Sequence, residues 1–284
     1  MGRVPPVHGR GGRTGLALVP EPRLNGAPWA KLATARGGEK RMKRWLLLAL
    51  ALLANLGQGE TLRVGIELHD YFPYYRAVAG SPPEGYCLDL LQAFAEHEGL
   101  TLELLPQPIN RLYRNLLDEQ SLDLLFPDNP AWARQAKTGR HLHYSDAAAQ
   151  IVDGTLVLAE RRGQGLARVR QLGTVRGFTA EAWQPLLAKG GVDLVETQDI
   201  QSLIRMVARG RLDALYANPQ VVRYQLGEMG LASDYLQLDQ QLPLTYTSFH
   251  LSSYRHPELI RRFDRFLVEQ DASVQRLKAQ YGLR

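Results

Sequence analysis

Cysteine is nearly absent: the 284 residues hold one, Cys87. One thiol excludes an intramolecular disulfide and a paired-cysteine metal site. Cys87 stands in EGYCLDLL, an apolar setting, and reads as a small core residue. The chain also lacks Gly-x-Ser-x-Gly, a phosphate loop and His-Glu-x-x-His. Their absence removes the usual signatures of serine hydrolases, nucleotide-binding enzymes and zinc proteases. His141 and His143 alternate in RHLHYSD with no third ligand nearby, so neither a metal nor any other cofactor is expected.

Two further absences bear on partners. The apolar run Trp45 to Leu56 is too short for a membrane span, which takes about 20 residues. No basic stripe with interleaved aromatics is present, although the net charge is +5. Residues 1–41 carry +6 and Lys43 with Arg44 two more, which leaves −3 over 60–284. The basicity is confined to the leader, and nucleic acid is not an expected partner.

What the leader does contain is a basic start, an apolar middle and small residues near its end, in MKRWLLLALALLANLGQGE from Met42 to Glu60. Those are the parts of a secretory signal peptide, placed at 42–59. With no cysteine directly following the apolar run, a lipid anchor is not expected. Residues 1–41, rich in Gly, Pro and Arg without periodicity, read as a disordered extension or a misassigned start.

From Thr61 onward strands and helices alternate. LRVGIE (62–67), TLELL (101–105) and LDLLF (122–126) have strand character, with helical spacing over 86–98 and 109–120. The same order restarts after Val152. Strands are predicted at 155–160, 172–175, 192–196 and 212–216, with helices at 179–188 and 199–210. A strand at 246–252 and helices at 257–269 and 271–281 complete the chain. Such alternation implies α/β units with mostly parallel sheets. Two segments echo each other: SLDLLFPDNP (121–130) and RLDALYANPQ (211–220). Each marks the third strand of one lobe and ends on Asn-Pro, read as a turn that halts the strand. Two lobes are therefore expected, 60–152 plus 249–284 and 153–248, joined by two crossings that form a hinge. Ligands bind beyond the carboxyl ends of strands in open α/β sheets. The echo then reads as two half-sites closing on one small ligand.

The order of these segments resembles that of the family 3, polar-amino-acid type, periplasmic solute-binding proteins. The resemblance covers 61–282. It rests on LRVGIELHDYFPYY, GYCLDLLQAFAEHEGL, LDLLF and HYSDAAAQ, and on VRGFTAEAW and TQDIQSLIRMVARGRLDALYAN in the second lobe. It implies the two-lobed periplasmic-binding-protein-like type II fold, no catalysis, and a monomer in the periplasm. Such a protein delivers a small polar solute, amino-acid-like or acidic, to the membrane permease of an ABC transporter. By the same resemblance, Tyr71 or Tyr74 packs on the ligand, and Arg134 and Thr179 meet its carboxylate. Asn218 stands where the family usually has an Asp for the ligand's ammonium. Either Asp128 or Asp70 supplies that charge or the ligand lacks the amine. Arg111 is a further candidate, pointing to an acidic ligand. Two alternatives are carried. One is an enzyme similar to the cyclohexadienyl dehydratases of this fold, with Asp70, Asp128 or His250 as general acid. The other is a sensory or interaction module without transport.

Overall fold

The computed structural model describes residues 61–283. The expected signal peptide and the extension before it lie outside the described residues.

The first half-sheet is built from β1 (Thr61–Glu67), β4 (Thr101–Gln107) and β5 (Leu124–Asp128). Strand β1 runs parallel to both of the others. A small hairpin, β2 (Asp70–Tyr71) with β3 (Tyr75–Arg76), follows β1. Helices α1 (Tyr86–Glu98) and α2 (Ile109–Leu117) connect the strands. A one-turn helix, α3 (Arg134–Lys137), and the short β6 (His143–Tyr144) follow β5. The second half repeats the plan with β8 (Gln171–Val175), β9 (Asp193–Thr197) and β10 (Ala214–Ala217), where β8 is parallel to both neighbours. Its helices are α4 (Gln184–Lys189), α5 (Ile200–Ala208) and α6 (Pro219–Glu228).

Two ten-residue strands, β7 (Ala149–Leu158) and β12 (Leu244–Ser253), join the halves. They pair antiparallel from Leu244 opposite Gly154 to Phe249 opposite Ala149. The order β4-β1-β5-β12-β7-β10-β8-β9 is thus two three-strand units, each flanking one long strand of a central pair. Strand β11 (Leu236–Leu238) adds to β7. Helices α7 (Pro257–Glu269) and α8 (Asp271–Gln280) pack back on α1, with Phe94 against Phe263 and Phe266 at ring distances of 5.1 and 5.6 Å. The fold is the expected two-lobed α/β arrangement with a two-strand hinge.

The leading strand of each unit carries one glycine where a helix presses close. A Cβ on Gly65 would stand 2.8 Å from Leu112, and one on Gly173 2.6 Å from Leu203, both inside van der Waals contact. Each glycine lets the helix after its neighbouring strand sit directly on the sheet. Cys87 is fully buried, and burial pushes its thiol well above the usual range.

Several elements depart from the expectations. Strand β5 lies two residues later than the apolar run, because Leu122 packs below the sheet with Leu112 and Leu116 while Pro127 and Asp128 extend it. Helix α4 starts only at Gln184, after a 3-10 turn at Glu181–Trp183, with Pro185 in its first turn, where proline is tolerated. Helix α6 was not expected at all. Asn218 does not merely stop β10: its side-chain oxygen accepts from Gln220 N at 2.8 Å and Val221 N at 3.4 Å, and Pro219 occupies the first helical position. An Asn-Pro pair there is a helix start. The first echo is used differently. Asn129 accepts from Ala131 N at 2.8 Å and donates to Ser248 O at 2.7 Å, tying the end of β5 to β12.

Candidate functional site

The carboxyl ends of β1, β5, β8 and β10 converge on a cavity of about 50 Å³ between the two units. Glu67 comes from the end of β1 and Pro127 from β5. Asp153 and Phe249 come from the crossing strands. Thr174 and the turn Gly177-Phe178-Thr179 come from and after β8, and Tyr216 with Ala217 from β10. The hairpin supplies Tyr71 and Tyr75, whose rings stack at 5.4 Å, while Phe178 meets Tyr71 edge-on at 5.3 Å. Tyr113 of α2 and Trp132 close the first-half side.

The two ionisable acids of this lining, Glu67 and Asp153, are its only charged side chains among the described residues, and the other polar groups are hydroxyls and the Trp132 indole. Tyr75 donates its hydroxyl to Glu67 Oε2 at 2.7 Å. Burial raises the Glu67 carboxyl to about 7, the Tyr75 hydrogen bond working against it. Burial likewise raises Asp153 to about 7; the nearby Tyr71 hydroxyl tempers the shift and the Glu181 charge adds to it. By surface area both carboxyls are only partly buried, yet both line the cavity, where little water is at hand to solvate a charge. Asp153 Oδ1 and Thr174 Oγ1 have no hydrogen-bond partner among the described residues. No Lys, Arg or His of the described residues lines the cavity. Nor do the described residues hold a cluster of three or more side chains fit for a metal ion.

The residues expected at the site fall into three groups. Tyr71 and Thr179 line the cavity. Tyr74 and Asn218 lie beside it in a seam where the halves touch directly. There Tyr74 donates to Gln220 Oε1 at 2.6 Å, and Asn218 N donates to the Tyr71 hydroxyl at 3.3 Å. Arg76 extends the seam, donating to the Tyr224 hydroxyl at 2.9 Å, and Phe72 packs on Tyr224 at 4.6 Å. The third group lies off the cavity. Arg111 is exposed on α2. Arg134, 73% exposed, pairs across the halves with Glu181 at 2.8 Å. Asp128 is fully buried and its acceptors are in use: Tyr113, Asn129 N and Lys137 donate to Oδ1 at 2.7, 2.7 and 2.8 Å, and Ser252 donates to Oδ2 at 2.7 Å. Asp70 and His250 are also off the cavity; His250 bonds Ser145 O and the Ser248 hydroxyl, both at 2.7 Å.

Sequence reasoning passed over Glu67, Asp153 and most of the rings. Two signals were there. Glu67 ends the buried strand LRVGIE, where a strand terminus faces the ligand crevice. Asp153 is the one acid in AQIVDGTLVL, an otherwise neutral run of strand-formers. The rings carried no such mark, since Tyr113, Trp132 and Tyr216 come from three separate segments.

A family model described as "Bacterial extracellular solute-binding protein" matches residues 76–284. The chain belongs to that family. Solved structures share the two-lobed fold of this solute-binding family at low identity. An arginine third-transport-system periplasmic binding protein from Legionella pneumophila aligns with a TM-score of 0.64 and 16% identity, over 78% of this chain and 100% of that one. The ligand-binding core of GluR0 in complex with L-glutamate gives 0.64 and 16%, over 79% and 99%. An ancestral amino-acid-binding protein, AncCDT-1, described as a precursor of cyclohexadienyl dehydratase, gives 0.60 and 18%, over 82% and 99%. No curated protein sequence matches the chain significantly.

Proposed function

We propose that this solute-binding protein captures a small polar solute in the interlobe cavity, in the periplasm, and presents it to the permease of an ABC transporter. The observation that carries the reading is a cavity at the ends of four strands, flanked on one side by the Tyr74–Gln220 seam and on another by the Arg134–Glu181 pair. Tyr71 and Thr179 contact the solute, whereas Tyr74 and Asn218 act as a latch between the lobes. The lobe boundaries fall at the two crossings, near 149–154 and 244–249. Strands that pass through both lobes let them rotate as bodies while the half-sheets stay intact.

A thermal-melt screen of the purified protein against amino acids, amines, polyamines and dicarboxylates tests the reading. A solute at about 100 times its dissociation constant stabilises by about 2.7 kcal/mol, or roughly 5–10 °C for a chain of this size. A shift with one chemical class supports capture. Folded, ligand-free protein that responds to none of them argues against it.

One observation favours a second reading, an enzyme on this fold. Two cavity carboxyls held near neutral are poised to give up a proton. Prephenate and arogenate, substrates of a cyclohexadienyl dehydratase, are themselves acids, and the described cavity has no basic side chain to receive them. Turnover of either by the purified protein would favour the enzyme.

A further inference from the structure

We infer that the cavity takes a compact organic ammonium ion, not an anion, with Glu67 and Asp153 as its counter-charges and the Tyr71, Tyr75 and Phe178 rings as its wall. The inference rests on the cavity being the solute site and names the class of solute.

Charge is the first argument. An α-carboxylate or dicarboxylate needs a cationic or strongly donating partner, and guanidinium groups are the usual one. Arg111 is exposed on α2, and Arg134 is turned outward to Glu181. An anion in the cavity would instead meet two carboxyls of its own sign.

Hydrogen bonding is the second. An ammonium group is all donor. The phenols of the lining have largely committed their protons: Tyr75 to Glu67, Tyr113 to Asp128, and Tyr216 to Thr245 at 2.9 Å. One acceptor is left over, Asp153 Oδ1, and the Thr174 hydroxyl, which can accept or donate, also lacks a partner among the described residues. Thr174 is 1% exposed and lines the cavity, so the partner of its hydroxyl comes from whatever fills the cavity. An all-donor ammonium group in the cavity supplies the partner that Asp153 Oδ1 lacks in the protein.

The walls and the size agree. Aromatic faces attract cations, and the pull strengthens where water is excluded. The cavity, about 50 Å³, corresponds to roughly four water sites. That suits a small amine or quaternary ammonium better than a long side chain.

The test is calorimetric titration of the purified protein at pH 8 with tetramethylammonium and choline. Glycine betaine, which carries the same trimethylammonium head plus a carboxylate, and succinate are run beside them. The inference expects the two cations to bind at least about tenfold tighter than betaine, and succinate not at all. Glu67→Gln and Asp153→Asn, near-isosteric neutral variants, should each weaken cation binding by about tenfold or more. Phe178→Leu should weaken it by several-fold through loss of a ring face. If succinate or an amino acid binds and the cations do not, the ammonium assignment is overturned while solute capture stands. Cation binding unaffected by both carboxyl variants overturns it as well. If no solute of any class binds folded protein, the solute-site reading fails with it.

Discussion

Asp128 shows how a carboxylate at a strand end can be structural. It has no exposed surface, and its four donors include the Lys137 ammonium, itself packed over the Tyr113 and Tyr144 rings at 4.8 and 5.3 Å. Burial pulls the Lys137 pKa down and Asp128 pulls it back. Breaking such a pair from one side leaves a buried charge uncompensated. Asp128→Asn is therefore expected to lose about 3–5 kcal/mol in urea unfolding, and Asp128→Asn with Lys137→Met to lose clearly less. Equal losses in the two would contradict the account. Glu67 and Asp153 behave differently. Both are held near 7 in the fold against ordinary values of 4.5 and 3.8. The folded chain thus keeps protons that the unfolded chain has already released. Their contribution to stability is fully present below about pH 4 and is lost as pH rises to about 7. The difference in unfolding free energy between wild type and Glu67→Gln should change by on the order of 2 kcal/mol between pH 4.5 and 8, with wild type losing more. A pH-independent difference would mean that Glu67 is solvated like a surface acid.

At the scale of elements, α6 separates what patterning can read from what it cannot. Apolar spacing identified α1, α5 and α7 because each buries one stripe. Asn218-Pro219 carried two meanings, turn or helix start, and only the two backbone N–H groups received by the Asn218 side chain decide between them. Asn218→Ala should lose about 1 kcal/mol through the cap, and Asn218→Asp much less, as read by thermal melts. The short strands β2, β3, β6 and β11 went unread because two or three residues show no period. The site was legible in part for a related reason. Tyr71 and Thr179 of the cavity lining were reachable through the resemblance, but a cavity assembled from segments scattered between Glu67 and Phe249 has no local signature. The arginines pointed to an acid in sequence, whereas their placement on the surface removes them from the cavity.

For the whole molecule, one glycine lies close against the facing lobe. Gly177 sits at φ +85°, and a Cβ there would run into Ile109 Cγ2 of the facing lobe, well inside van der Waals contact. Alanine is strained at that φ and also wedges the lobes apart. The Arg134–Glu181 pair spans the same cleft at its exposed edge, so it contributes little and less at high salt. Arg134→Ala is expected to leave solute affinity within about threefold of wild type. The central claim is that the solute lies between the lobes and is held by their closure. Its most direct test is a calorimetric titration of wild type and Gly177→Ala with the solute that gives the largest melting shift. The account predicts that Gly177→Ala stays folded and binds at least about tenfold more weakly, because closure no longer completes the cavity. Equal affinity in the two proteins would place the solute elsewhere and contradict it.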